Sequence, residues 1–247
     1  MSINRSALEY APSHAHEKPE IRREQEDATR EIIAILDRIE QNRSELGRGR
    51  TADVFFYDDP ERRYSKICAK LIIRREEGYS NDALEEMELL DDARQNGVRV
   101  PHPICSYKDQ EGKEFLIMET INGPSIDDIL KHRVEMPKAL RDPKKLQTFL
   151  DQAEQEMEKL HEEARIHHRD FHSGNLMVGI DEETREAEPV IIDLGTAKKG
   201  WGDDEETYTD VDPRGKTTFY PKDKDSFNQT RADLIKFFTK NQNEWSE

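Results

Sequence analysis

Residues 166–195 read I-H-H-R-D-F-H-S-G-N-L-M-V, then a polar turn, then a run ending V-I-I-D-L-G. No other part of the chain constrains the fold as much. Residues 176–178 and 190–192 are short apolar runs of strand character, and the turn D-E-E-T-R-E-A-E leads from one back to the other. Ahead of the first run is a tight loop in which Asp170 and Asn175 stand five residues apart. Such a loop can aim one carboxylate at an acceptor while one amide oxygen reaches a metal. Asp193, after a buried strand and before a glycine, is well placed to be a further oxygen ligand for magnesium.

Other segments supply parts that fit this loop. Residues 46–54 read L-G-R-G-R-T-A-D-V. Gly47 and Gly49, between β-prone stretches, let a backbone approach phosphate closely, though such a pair also suits an ordinary hairpin turn. Lys70 sits in the apolar run I-C-A-K-L-I-I. A lysine there either finds a charged partner or faces water from an edge strand. The next segment is predicted to be a helix, with Ser80 or Asn81 as N-cap and Gly97 as stop. Leu84, Met87, Leu90 and Ala93 form its apolar face. Glu86, one turn before Leu90, is the partner expected for Lys70, with Glu85 as the runner-up.

Composition sets the frame for these parts. The 247 residues are 34% hydrophobic and 37% charged, so the core is lean and the surface heavily charged. The net charge of -16 disfavours non-specific binding to nucleic acid or an anionic membrane. Two cysteines, Cys68 and Cys105, can build neither a disulfide framework nor a structural zinc site, and they suit a reducing, cytoplasmic setting. No apolar run reaches the length of a membrane span, and the first thirty residues lack the apolar stretch of a secretory signal. His161-Glu162 opens like a zinc-protease helix, but Arg165 stands where the second histidine is needed. His167, His168 and His172 fit a structural and catalytic loop better than a metal cluster. The chain divides into a polar leader (1–25), a helix and β-rich segment (26–121) and a mainly helical segment (122–247). Ile32, Ile33, Leu36 and Ile39 predict an amphipathic helix ahead of the first strands. Leu146, Leu150, Ala153, Met157 and Leu160 predict a long one later, and N-Q-T-R-A-D-L-I-K-F-F-T-K a last one.

The order G-x-G, strand lysine, helix glutamate, H-R-D-x-x-x-x-N, D-x-G resembles the protein kinase superfamily over about residues 46 to 239. The resemblance implies an α+β, two-lobed protein-kinase-like fold with a β-rich N-lobe and a shortened helical C-lobe. It implies ATP and Mg2+ as cofactors and an ATP-dependent phosphotransferase, with a protein hydroxyl of Ser/Thr type as acceptor. By the same resemblance Gly47 and Gly49 cover the phosphates, and Lys70 holds them while pairing with Glu86. Val54, Ala69 and Met177 line the nucleotide, Met118 is the gatekeeper, and the backbones of Glu119 and Ile121 bind the adenine edge. Asp170 is the catalytic base, Asn175 and Asp193 bind magnesium, and His168 and Leu194 align the site.

Four departures qualify the match. Leu194 replaces the usual phenylalanine. His172 stands where Ser/Thr kinases usually carry lysine, which is similar to aminoglycoside and other small-molecule kinases, whereas Arg169 belongs to the protein kinase form. No A-P-E follows; K-T-T-F-Y-P-K-D lies in its place, with Thr207, Tyr208, Thr209, Thr217, Thr218 and Tyr220 as potential phosphosites. The chain ends soon after R-A-D-L-I-K-F-F, where Asp233 resembles the buried aspartate of the family's F helix. In this it is similar to bacterial effector kinases with reduced C-lobes, which would act in a host cytosol. The N-terminal helix is expected to cover part of the surface so exposed. A small-molecule kinase and a non-catalytic scaffold are the alternative functions.

Overall fold

The computed structural model describes residues 44–48, 52–57, 67–73, 81–108, 111–181, 183–200, 208–211, 217–220 and 222–245. The polar leader, the N-terminal amphipathic helix, Gly49 and Thr207 lie outside the described residues. The described chain falls into two compact units. The first holds residues up to 73 together with 82–88 and 102–120; the second holds residue 81, 89–101 and everything from Ile121 onward.

The first unit is built on one antiparallel sheet in the order β1-β2-β3-β5-β4. Its strands are β1 (Ser44–Arg48), β2 (Ala52–Tyr57), β3 (Ile67–Ile72), β4 (Pro103–Lys108) and β5 (Glu114–Glu119). Side chains alternate between the two faces of a strand. On one face Phe55, Ile67, Ala69, Tyr107 and Ile117 form a buried apolar cluster. The opposite face carries Val54, Cys68, Lys70, Leu116 and Met118, matched across the strands by the register Val54↔Lys70↔Leu116 and Cys68↔Met118. The sequence reading assigned no strand to residues 103–108, because Pro101 and Pro103 interrupt the apolar run. Proline is tolerated here because β4 is an edge strand, Pro103 is its first residue, and the register slips between Pro103 and Cys105.

Helix α1 (Ala83–Gln95) follows β3. Its cap is Asp82, not Ser80 or Asn81. Asp82 Oδ1 accepts the Glu85 N–H at 2.8 Å, and Glu85 Oε2 accepts the Asp82 N–H at 2.9 Å, a reciprocal capping box. Glu85 is thereby committed to the helix start. The buried stripe runs through Ala83, Glu86, Met87, Leu90 and Ala93, so Leu84 stands beside it instead of in it. Gly97 closes the turn after the helix with φ +75°, a conformation that suits glycine.

The second unit is mixed. Helix α2 (Ile126–Leu130) is capped by the Ser125 hydroxyl. Helix α3 (Pro143–Glu162) has Asp142 as cap and Pro143 in its first turn, and it buries Leu146, Phe149, Leu150, Ala153, Met157 and Leu160. Strands β7 (Leu176–Ile180) and β8 (Ala187–Ile191) form the hairpin read from the sequence. Short ribbons pair β6 (Ile166–His167) with β9 (Lys198–Lys199), and β10 (Tyr208–Val211) with β11 (Thr217–Tyr220). Tyr208, Thr209, Thr217, Thr218 and Tyr220 lie on the second ribbon. Helix α4 (Asp223–Asn241) starts five residues before the predicted Asn228, because its first turn is polar and carries no apolar period. Among the described residues no helix is long and apolar enough to cross a membrane.

Candidate active site

In the first unit the sheet brings Lys70 to the face opposite the apolar cluster, and α1 brings Glu86. Lys70 Nζ donates to Glu86 Oε1 at 2.7 Å and Oε2 at 2.8 Å. Lys70 is 4% exposed and Glu86 0%. Two charges removed this far from water cost several kcal/mol each, roughly, and their attraction returns that only with such geometry. An apolar pair of similar volume would serve the fold at least as well, so the pair points to a task beyond stability.

Val54 and Met118 share the Lys70 face. Ala69 does not: its side chain is packed into the apolar cluster on the other face. The residue that shares the Lys70 face is Cys68, two positions away, and the expectation for Ala69 is corrected accordingly. Period-two alternation counted from Lys70 would have found it. Burial pushes the Cys68 thiol up to about 11, and its Sγ lies 3.7 Å from the Glu119 carbonyl oxygen. The Glu119 N–H donates to the His102 carbonyl at 2.9 Å. Gly47 pairs with Val54 where β1 carries a bulge.

The second unit positions Asp170, Asn175 and Asp193 mainly by backbone bonds. Asp223 at the head of α4 is the anchor. Its Oδ2 accepts the His168 N–H at 2.7 Å, and its Oδ1 accepts the Arg169 N–H at 2.9 Å. These two bonds hold the chain just before Asp170, with Arg169 in the left-handed region at φ +67°. The buried aspartate expected at Asp233 is therefore Asp223; Asp233 instead accepts from the Gln229 side chain at 2.9 Å on the surface of α4. Burial alone would raise the Asp223 pKa. The His161 hydrogen bond, the charges of His168 and His161 and the His168 N–H outweigh that and hold its carboxyl below the usual range.

Asn175 is buried in the turn that follows Asp170. Its Nδ2 donates to the Asp170 carbonyl at 2.9 Å, which fixes the amide so that Oδ1 is the end turned away from that carbonyl. Its own carbonyl accepts the Ile192 N–H at 3.0 Å, tying this turn to the residue before Asp193. Asp193 has φ +63°, and its Oδ1 accepts the Gly195 N–H at 3.3 Å. One carboxylate and one amide oxygen are hard donors of the type magnesium takes, so the residues present fit that ion. Met177 stands half-buried on β7, and Ile121 half-buried just before that unit's first helix.

His172 was expected to act in catalysis. Its Nδ1 accepts the Gly174 N–H at 3.0 Å, capping the short turn Ser173–Asn175. A Cβ on Gly174 would lie 2.8 Å from the His172 ring, so the ring in this place leaves room only for glycine. Because Nδ1 accepts this bond, Nε2 is the ring nitrogen left to donate. The three loop histidines have separate tasks: His168 Nε2 meets the Ile192 carbonyl at 2.9 Å, and His167 stacks on His161 at 4.8 Å between ring centroids. His161, His167 and Asp223 offer ligand atoms within 4.8 Å of one another, but His161 Nε2 already bonds Asp223 at 3.0 Å. They read as an anchor for the loop.

Lys70 with Glu86 is thus assembled in one unit, and Asp170 with Asn175 and the Asp193 strand end in the other. Sequence reasoning missed Cys68 on the Lys70 face and Asp223 as the anchor of the loop. Only the first left a signal in the sequence. A family model described as a protein kinase domain matches residues 41–218. No curated protein matches the chain.

Proposed function

The chain belongs to the protein kinase family, and from that premise we propose that it is an ATP- and magnesium-dependent kinase of Ser/Thr type, acting on a protein hydroxyl. The observation that carries this reading is the buried Lys70–Glu86 pair, because a lean core has no need of it. Lys70, oriented by Glu86, holds the α- and β-phosphates of ATP. Val54, Cys68 and Met118 of the first unit offer an apolar face to the adenine, and the backbones of Glu119 and Ile121 and the Met177 side chain are the other groups assigned to the nucleotide. Gly47 and Gly49 close over the phosphates. Asn175 and Asp193 hold magnesium, which when bound neutralises charge on the phosphates.

Asp170 orients the acceptor hydroxyl and takes its proton. The acceptor oxygen bonds to the γ-phosphorus, the bond from that phosphorus to the β,γ-bridging oxygen breaks, and ADP leaves with the electron pair. The free thiols of Cys68 and Cys105 fit a reducing, cytosolic place of action, in the cell of origin or in a host.

A second reading rests on His172. A capping histidine where Ser/Thr kinases usually carry lysine favours a small-molecule acceptor. The test is to incubate the purified protein with magnesium and labelled ATP, with and without a generic protein substrate, beside Asp170→Ala. Label on protein serine or threonine that disappears in the variant is the expected result. ATP consumption without label on protein would move the assignment to a small-molecule acceptor. Absence of any turnover, with nucleotide still bound, would leave a scaffold.

A further inference from the structure

Asn81 is a side chain for which the reading above has no use. It is 3% exposed, and its hydrogen bonds go to one short segment. The two hydrogens of its Nδ2 go to the Leu194 and Ala197 carbonyls, both at 2.9 Å. Its backbone N–H goes to the Gly195 carbonyl at 2.6 Å. Its Oδ1 accepts from Lys198 Nζ at 3.3 Å. One residue thus braces the whole turn that follows Asp193.

That turn needs bracing. Asp193 sits at φ +63° with a side chain, a conformation that persists only when its surroundings over-determine it. Inside the turn there is the Ala197 N–H to the Leu194 carbonyl at 3.1 Å. The Thr196 hydroxyl adds one bond to the His168 carbonyl at 3.1 Å. The Asn81 amide spans the turn's two ends, and only an amide can do so. An aspartate of the same shape would set one lone-pair oxygen against both carbonyls, with its other oxygen still facing Lys198.

We propose that Asn81 is a positioning residue for the metal site: its amide locks the 194–197 turn and so holds the Asp193 carboxylate where it can ligate magnesium. This rests on the reading of Asp193 as a metal ligand. Asn81 directly precedes Asp82, the cap of the helix that carries Glu86. The order of the turn and the start of that helix are therefore set by adjacent residues.

The test uses the full chain with Mn2+ as probe, in the presence of a non-hydrolysable ATP analogue. Free Mn2+ is counted by electron paramagnetic resonance for wild type, Asn81→Asp, Asn81→Ala and Asp193→Asn. Amide hydrogen exchange over residues 190–200 is followed on the same proteins. Both Asn81 variants are expected to bind Mn2+ roughly 10-fold to 100-fold more weakly, as the loss of an orienting partner usually costs a metal site. Metal-free binding of the analogue is expected to stay unchanged, and exchange at Gly195 and Ala197 to quicken. Should Asn81→Asp fail to fold, Asn81→Ala, which adds no charge, carries the test. Wild-type Mn2+ affinity in a folded Asn81 variant overturns the proposal. Wild-type Mn2+ affinity in Asp193→Asn would instead remove the metal role of Asp193. The brace would then be overturned unless exchange quickens in the Asn81 variants.

Discussion

The two halves of the candidate site are held by opposite means. In the first unit Lys70 and Glu86 project from a regular strand and a regular helix, and a side-chain ion pair joins them. In the second unit no regular element carries Asp170 or Asp193. Two backbone N–H groups on Asp223, an amide on a carbonyl and left-handed residues at Arg169 and Asp193 set the geometry. The lesson concerns what can be exchanged. A pair standing on regular elements can be replaced by apolar residues with the fold intact. A loop held by backbone bonds loses its shape when its anchor is altered.

The sharpest way to break this comparison is a double-mutant cycle on the pair. Glu86→Leu alone leaves the Lys70 charge buried without its carboxylate and is expected to cost about 3–5 kcal/mol in urea unfolding. The double variant Lys70→Met/Glu86→Leu is expected to recover most of that loss while phosphotransfer is abolished. A double variant as unstable as the single one would show that the pair supports the fold after all.

Asp223→Asn tests the other half. The amide keeps one oxygen for two backbone N–H groups, so one buried donor is stranded, at about 1–3 kcal/mol. The effect has a defined pH dependence. The folded-state pKa of Asp223 is lowered, so its contribution is fully present above the unfolded value of about 3.9 and is lost as pH falls through the folded value. The gap in urea midpoint between wild type and variant should hold down to about 3.9, the unfolded value, and shrink below it as pH falls through the folded value. A gap that grows toward acid would contradict the anchor role.

The smallest effect is expected at the cap. Gly174→Ala pushes the His172 ring off its N–H and should cost about 1 kcal/mol, the usual worth of a side-chain cap. In a His172→Ala background the same substitution should cost much less. Equal costs in both backgrounds would mean that the ring does not cap the turn.

Much of the candidate site was legible before any fold was known, because phosphoryl-transfer chemistry needs few residue types at short, fixed spacings. Asp170, Asn175 and Asp193 flank strands whose apolar runs are plain, and Glu86 lies one turn before Leu90. Where reading by pattern failed, the cause was local in each case. Asp233 was matched to the family's buried aspartate by resemblance, whereas the residue that fills that place is Asp223, ten residues earlier in a polar turn. Ala69 is the small residue beside Lys70, but a strand sends neighbours to opposite faces. Strand β4 was hidden by prolines that an edge tolerates.

The sequence by itself determined the family and most of the elements in their order, since these depend on residue type and on spacing along the chain. Only the tertiary structure decided which aspartate anchors the loop, which amide braces the Asp193 turn, and that His172 serves as a cap. Those assignments are bonds between residues from 54 to 117 positions apart, or a choice of rotamer, and no local pattern encodes either.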